Sequence, residues 1–166
     1  MSYDLLIKDA RICDGAGRPT FRGSVGVSDG KIVEVGEASG SATRTINADG
    51  LVLAPGFIDI HTHYDAQVSW DPLLTCSPWH GVTSVLMGNC GVGVAPCRPQ
   101  EKDIVSWDLV NVEAMPQDVL LNGVAWEEWE SFPQYMNAIQ KRGVGLNVGF
   151  LVPLSSFRYY VMGAEA

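Results

Sequence analysis

Short apolar runs broken by polar, glycine-containing steps mark the first fifty residues of the chain. Tyr3-Asp4-Leu5-Leu6-Ile7 reads as a strand, and Ser24 to Val27 and Lys31 to Val35 flank Ser28-Asp29-Gly30. An Asp-Gly pair between two β-branched runs is a hairpin signal, because glycine accepts the positive φ that such turns demand. A second pair, Asp49-Gly50, divides Thr43-Arg44-Thr45-Ile46 from Leu51-Val52-Leu53. The pattern predicts a small β unit over residues 1–55. After Pro55 the style changes. Phe57-Ile58-Asp59-Ile60, Val82 to Met87 and Leu146 to Val152 are short, mostly apolar runs of the kind found in strands covered on both faces. Before the third run lies a marked helix. Ser131 and Gln134 have capping-box spacing, Pro133 suits a first turn, and Phe132, Tyr135, Met136 and Ile139 form an i, i+3, i+4, i+7 stripe. Lys141 and Arg142 suit the negative end of the helix dipole, and Gly143 can close it. Strands alternating with helix predict a parallel α/β sheet or barrel over residues 56–166.

Charge and composition narrow the class. The 166 residues carry 11 Lys+Arg against 19 Asp+Glu, a net charge of −8, and 46% are apolar. This content supports a packed core rather than a disordered chain. The acidic balance, with a calculated pI near 4.7, disfavours a nucleic-acid partner. Between Asp71 and Arg98 no charged side chain occurs, which reads as backbone buried inside an α/β protein. No apolar run reaches the ~20 residues of a membrane span, and Asp4, Lys8 and Asp9 leave no room for a signal-peptide core. A cytoplasmic location is expected. Cys13, Cys76, Cys90 and Cys97 are irregularly spaced and make no CxxC pair, so free thiols are expected rather than a disulfide framework.

The sharpest chemical feature is His61-Thr62-His63 at the end of the first run after Pro55. Side chains at i and i+2 of a strand project from one face, so the two imidazoles are placed to bind one divalent cation. The carboxyl end of a parallel strand is where α/β proteins build their sites. Cys90, within Gly88-Asn89-Cys90-Gly91, ends the second run in the same way. If the two strands are parallel neighbours, its thiolate is a third ligand, soft enough for zinc; alone, a cysteine is more often a small buried hydrophobe. Asp65 reads either as the acceptor that holds one imidazole from behind or as a helix N-cap. His80 reads as structural, Trp126, Trp129 and Phe132 as packing, and Glu127, Glu128 and Glu130 as a solvated face. No nucleophile elbow, P-loop or dinucleotide fingerprint occurs.

Pro55-Gly56-Phe57-Ile58-Asp59-Ile60-His61-Thr62-His63-Tyr64-Asp65 resembles the first-strand motif of the amidohydrolase superfamily. Two further stretches resemble its N-acyl-D-amino-acid deacylase (D-aminoacylase) branch. They are Trp79 to Thr83 continuing through Gly88-Asn89-Cys90-Gly91-Val92-Gly93, and Trp129-Glu130-Ser131-Phe132-Pro133-Gln134-Tyr135. The resemblance implies a small β-sandwich portion, residues 1–55, preceding a metal-dependent (β/α)8 barrel begun by residues 56–166. A complete barrel takes ~250 residues, so the expectation is a chain truncated after about three barrel strands. It further implies zinc, one or two divalent ions in the complete enzyme, with His61, His63 and Cys90 as ligands, and a small-molecule N-acyl amino acid as substrate.

The family's general base and later metal histidines lie beyond these residues, so no catalytic residue is expected here. The isolated chain is expected to be inactive and to self-associate through an open barrel edge. One departure is Leu154, where the family often has histidine. Two rivals stand beside this reading: a non-enzymatic metal-binding or interaction remnant, and a hydantoinase- or dihydroorotase-like cyclic amidase. No lysine lies between Lys31 and Lys102, which counts against the latter, since those enzymes typically bridge their metals with a modified lysine.

Overall fold

The computed structural model describes residues 2–166. The chain divides into two compact units, Met1–Pro55 and Gly56–Ala166.

The first unit is one five-stranded mixed sheet. Its strands are β1 (Ser2–Ile12), β2 (Phe21–Ser28), β3 (Lys31–Gly36), β4 (Ser41–Asn47) and β5 (Val52–Leu53). They run in the order β3-β2-β1-β4, with β5 also paired to β1. The β2–β3 hairpin turns at Asp29-Gly30, both at positive φ, as the Asp-Gly pair predicts. The second Asp-Gly pair makes no hairpin. β4 and β5 both pair with β1, in parallel, and not with each other. Strand β1 extends beyond its apolar run and carries a bulge. Asp9 has φ 62 where the register shifts, and the buried set changes phase from Tyr3 and Leu6 to Ala10 and Ile12.

The second unit carries the parallel strands β6 (Phe57–Thr62), β7 (Val82–Met87) and β8 (Asn147–Phe150), in that spatial order. The mixed α/β class and the three parallel strands are as the sequence implies. Between β6 and β7 lie two single-turn helices, α1 (Tyr64–Gln67) and α2 (Cys76–Trp79). Between β7 and β8 lie α3 (Lys102–Glu113), α4 (Gln117–Gly123) and α5 (Phe132–Arg142); α6 (Leu154–Met162) follows β8. Parallel pairing requires such crossovers, because each chain must return to the start of the sheet.

The core gathers around the central strand. Val85 and Met87 of β7 are buried against Tyr135, Ala138 and Ile139 of α5, with Leu109, Leu120 and Trp129. The α5 terminus is built as its sequence predicts: the Ser131 N–H donates to Gln134 Oε1 at 2.8 Å. Its buried stripe is rotated slightly from the expected one. Ala138 replaces Met136, which lies exposed at the margin. The third apolar run is shorter than expected as a strand, because Pro153 follows within three residues of Phe150 and α6 begins directly after it. On β6, Phe57, Ile58 and Ile60 are exposed, Ile58 by 70%. No helix among the described residues is long and apolar enough to cross a membrane.

Gly88 ends β7 at φ +81, and a Cβ added there would overlap the carbonyl oxygen of Leu151. Gly143 has a similar φ, +74, but faces open space. Gly143 pairs this φ with ψ 137, outside the left-handed helical region, so replacing it by alanine is expected to cost ~1–3 kcal/mol of backbone strain. Gly88→Ala adds steric overlap with backbone to its own positive-φ strain, so its urea midpoint is expected to fall below that of Gly143→Ala. Equal midpoints would refute the close approach.

Candidate metal site

His61 is the penultimate residue of β6, and His63 lies just beyond the strand as the residue capping α1. The alternation of β6 sends both imidazoles to one side, with ring centroids 5.5 Å apart and nearly parallel planes. Thr62, between them, points the other way, and its hydroxyl donates to the Leu86 carbonyl at 2.9 Å, tying this end of β6 to β7.

Cys90 arrives from the neighbouring strand. Thr62 pairs with Met87, the last residue of β7, so the turn after β7 emerges beside the imidazoles. Gly88 and Gly91, both at positive φ, turn the backbone, and the Gly91 N–H closes the turn on the Gly88 carbonyl at 3.1 Å. The Asn89 amide donates to the Ile60 carbonyl at 2.8 Å and pins the loop back on β6. The first turn of α6 holds its far side, where the backbone N–H and hydroxyl of Ser155 both donate to the Gly91 carbonyl.

The result is one donor cluster. A ligand atom from each of His61, His63 and Cys90 lies within 4.8 Å of the others, and this trio is the one such cluster among the described residues. Cys90 Sγ is 3.2 Å from His63 Nε2 and 3.9 Å from Nδ1, which sets the sulfur against the flank of the ring. Two imidazoles and a thiol are the donors that zinc prefers, and the cluster opens into a cleft also lined by Asp59, Gln67 and Glu113.

The remaining expected residues divide. Asp65 lies inside α1 and is not its N-cap. It is buried, and neither carboxylate oxygen has a hydrogen-bond partner, so it holds neither imidazole. Burial is the main cause that raises its pKa to about 7, with the nearby Glu113 charge adding to it. The residue that does meet an imidazole is Glu113, whose Oε1 lies 3.1 Å from His63 Nδ1. Its helix, α3, escapes pattern reading because Ile104, Val105, Trp107, Leu109, Val110 and Val112 distribute apolar groups around the whole axis. The available signal was Pro99 and Glu101 after Arg98, where the Arg98 N–H meets the Glu101 carboxylate at 3.4 Å. Leu154 is exposed in the first turn of α6, with its Cβ position near Gly91. His80 caps the end of α2, outside the cluster. Trp129 is buried and donates to the Val94 carbonyl, and Trp126 donates to the Leu120 carbonyl.

The parallel α/β unit gathers histidine and cysteine donors at its strand ends, where such folds build their sites. The model of the amidohydrolase family matches residues 44–148, and the chain belongs to that family. An uncharacterized protein of Mycobacterium tuberculosis is 35% identical over 99% of this chain and 27% of its own length. The D-aminoacylase of Alcaligenes xylosoxydans xylosoxydans is 34% identical over 96% of this chain and 31% of its own. The crystal structure of N-acyl-D-glutamate deacylase from Bordetella bronchiseptica, complexed with zinc and a phosphonate mimic of the tetrahedral intermediate, superposes with a TM-score of 0.78. It is 30% identical, and the match covers 98% of this chain and 32% of that one. The chain thus spans between about a quarter and a third of the length of these relatives.

All four cysteines are free, and their surroundings rank their reactivity. Cys76 and Cys90 are exposed, Cys13 is partly covered, and Cys97 is buried. Burial, reinforced by Glu101 and Glu130, pushes the Cys97 thiol up to about 12. A disulfide reagent on the metal-free native chain is expected to modify Cys76 and Cys90 first and Cys97 only on unfolding, as peptide mapping of the labelled protein will read. Early labelling of Cys97 would contradict this packing.

Proposed function

We propose that this chain carries the zinc-binding part of an amidohydrolase that removes the acyl group from N-acyl-D-amino acids. The observation that carries the reading is the convergence of His61, His63 and Cys90 donor atoms within 4.8 Å at the ends of β6 and β7. Zinc suits this donor set better than magnesium or calcium, which take oxygen ligands. The chemistry such an ion supplies when bound is polarisation of an amide carbonyl and acidification of water.

The chain's own contribution is to hold and orient. His61, His63 and Cys90 supply the ligand atoms. Thr62 and Asn89 fix the two backbones that carry them, through their bonds to Leu86 and Ile60. The similarity to D-aminoacylase and to N-acyl-D-glutamate deacylase over nearly the whole chain supports an N-acyl amino acid as the small-molecule substrate. It favours a deacylase over a cyclic amidase.

The 166 residues by themselves are expected not to turn over substrate, because His61, His63 and Cys90 are taken up in holding the ion and leave none of the trio free to act as general base. The bare Phe57, Ile58 and Ile60 of β6 supply an apolar surface through which isolated copies associate.

Metal analysis after equilibrium dialysis tests the reading. The chain is expected to retain zinc, and the double substitution His61→Ala, His63→Ala to lose it while keeping its fold by circular dichroism. Zinc retained by the double variant would overturn the site. Assay of N-acetyl-D-amino acids is expected to show no release of free amino acid by this chain alone, and turnover would overturn the assignment of inactivity.

A further inference from the structure

Resting on the metal reading above, we propose that Glu113 positions His63 for the ion. Its carboxylate accepts a hydrogen bond from the Nδ1–H of His63 and leaves the Nε2 lone pair for the metal.

Oε1 of Glu113 lies 3.1 Å from His63 Nδ1. An ionised carboxylate can only accept, so the nitrogen that faces it carries the proton. A neutral imidazole has one N–H, which leaves Nε2 unprotonated. Nε2 is also the ring nitrogen nearer Cys90 Sγ, at 3.2 Å against 3.9 Å. The carboxylate therefore selects the tautomer that serves the donor cluster, and it restrains the ring through the nitrogen that a metal would not use. Both side chains are largely withdrawn from solvent, with 17% and 29% exposure, so the contact is screened less than a surface pair.

The placement of Glu113 brings α3 no benefit of its own. It is the last residue of that helix, where the dipole is negative and an acid is unfavourable by a few tenths to ~1 kcal/mol. No basic residue sits in that last turn to offset it. Ala114 then turns the backbone at φ 53, a left-handed conformation held here without glycine. The one ion-pair contact of the Glu113 carboxylate among the described residues is the His63 ring. Asp65, two residues from His63, leaves this role open, since neither of its oxygens has a partner. The helix that follows β7 thus braces a ligand at the end of β6.

Two readouts on the chain test the proposal. In metal-free protein labelled with 15N-histidine, at a pH where the ring is neutral, His63 is expected to carry its proton on Nδ1. In Glu113→Ala that preference is expected to be lost. Zinc affinity, measured by competition with a chromophoric chelator, is expected to fall about 10- to 100-fold in Glu113→Ala. Glu113→Asp keeps the charge but withdraws the oxygen, and is expected to fall similarly; it decides the matter should Glu113→Ala not fold. Glu113→Gln keeps an acceptor oxygen and is expected to stay within a few-fold of the unsubstituted chain. Unchanged affinity in both Glu113→Ala and Glu113→Asp, or an unchanged His63 tautomer in either, would overturn the role of Glu113. Failure of the unsubstituted chain to bind zinc would instead overturn the ligand reading, while the tautomer measurement still judges Glu113.

Discussion

The parallel pairing of β6 with β7 is the constraint on which the candidate site depends. Strand geometry alone puts His61 and His63 on one side, because alternate side chains share a face. It does not bring Cys90, which lies 27 residues beyond His63 in the sequence. The ladder does that, by aligning Thr62 with Met87 so that both strands finish together. Two side-chain bonds lock the alignment from opposite directions: Thr62 reaches across to Leu86, and Asn89 reaches back to Ile60. A slip of one residue would send the imidazoles to the other face and part them from the thiol.

At this junction the backbone departs from regular strand geometry. Gly88 and Gly91 adopt positive φ, and Gly88 leaves room for the Leu151 carbonyl to approach closely. The ligand-bearing turn is therefore held between β6 on one side and the start of α6 on the other. The core beneath, from Val85 and Met87 to Tyr135 and Ile139, provides the rigid base. Donors positioned by strand ends and supported by a packed core are held more closely than donors on a free loop.

Much of this was legible in the sequence where one local rule acts alone. The Asp29-Gly30 turn, the α5 cap at Ser131 and Gln134, and the pairing of His61 with His63 each follow from spacing over a few residues. The proximity of Cys90 follows once two apolar runs are taken as parallel neighbours. What stayed hidden depends on tertiary context. Helix α3 shows no apolar stripe, so neither the helix nor Glu113 at its end could be placed by periodicity. Asp65 has the right residue type and the right spacing to hold an imidazole, yet its backbone turns into α1 and buries the carboxylate away from both rings. The second Asp-Gly pair reads like the first, but β1 offers both flanking strands a better partner than each other.

Titration of the chain with cobalt(II), followed by absorption, tests most directly the claim that strand pairing assembles a mixed imidazole–thiolate site. A thiolate-to-cobalt charge-transfer band is expected to grow to saturation, to be displaced by zinc, and to disappear in Cys90→Ser while the fold is retained. A titration without that band, or one in which the band survives Cys90→Ser, would contradict it.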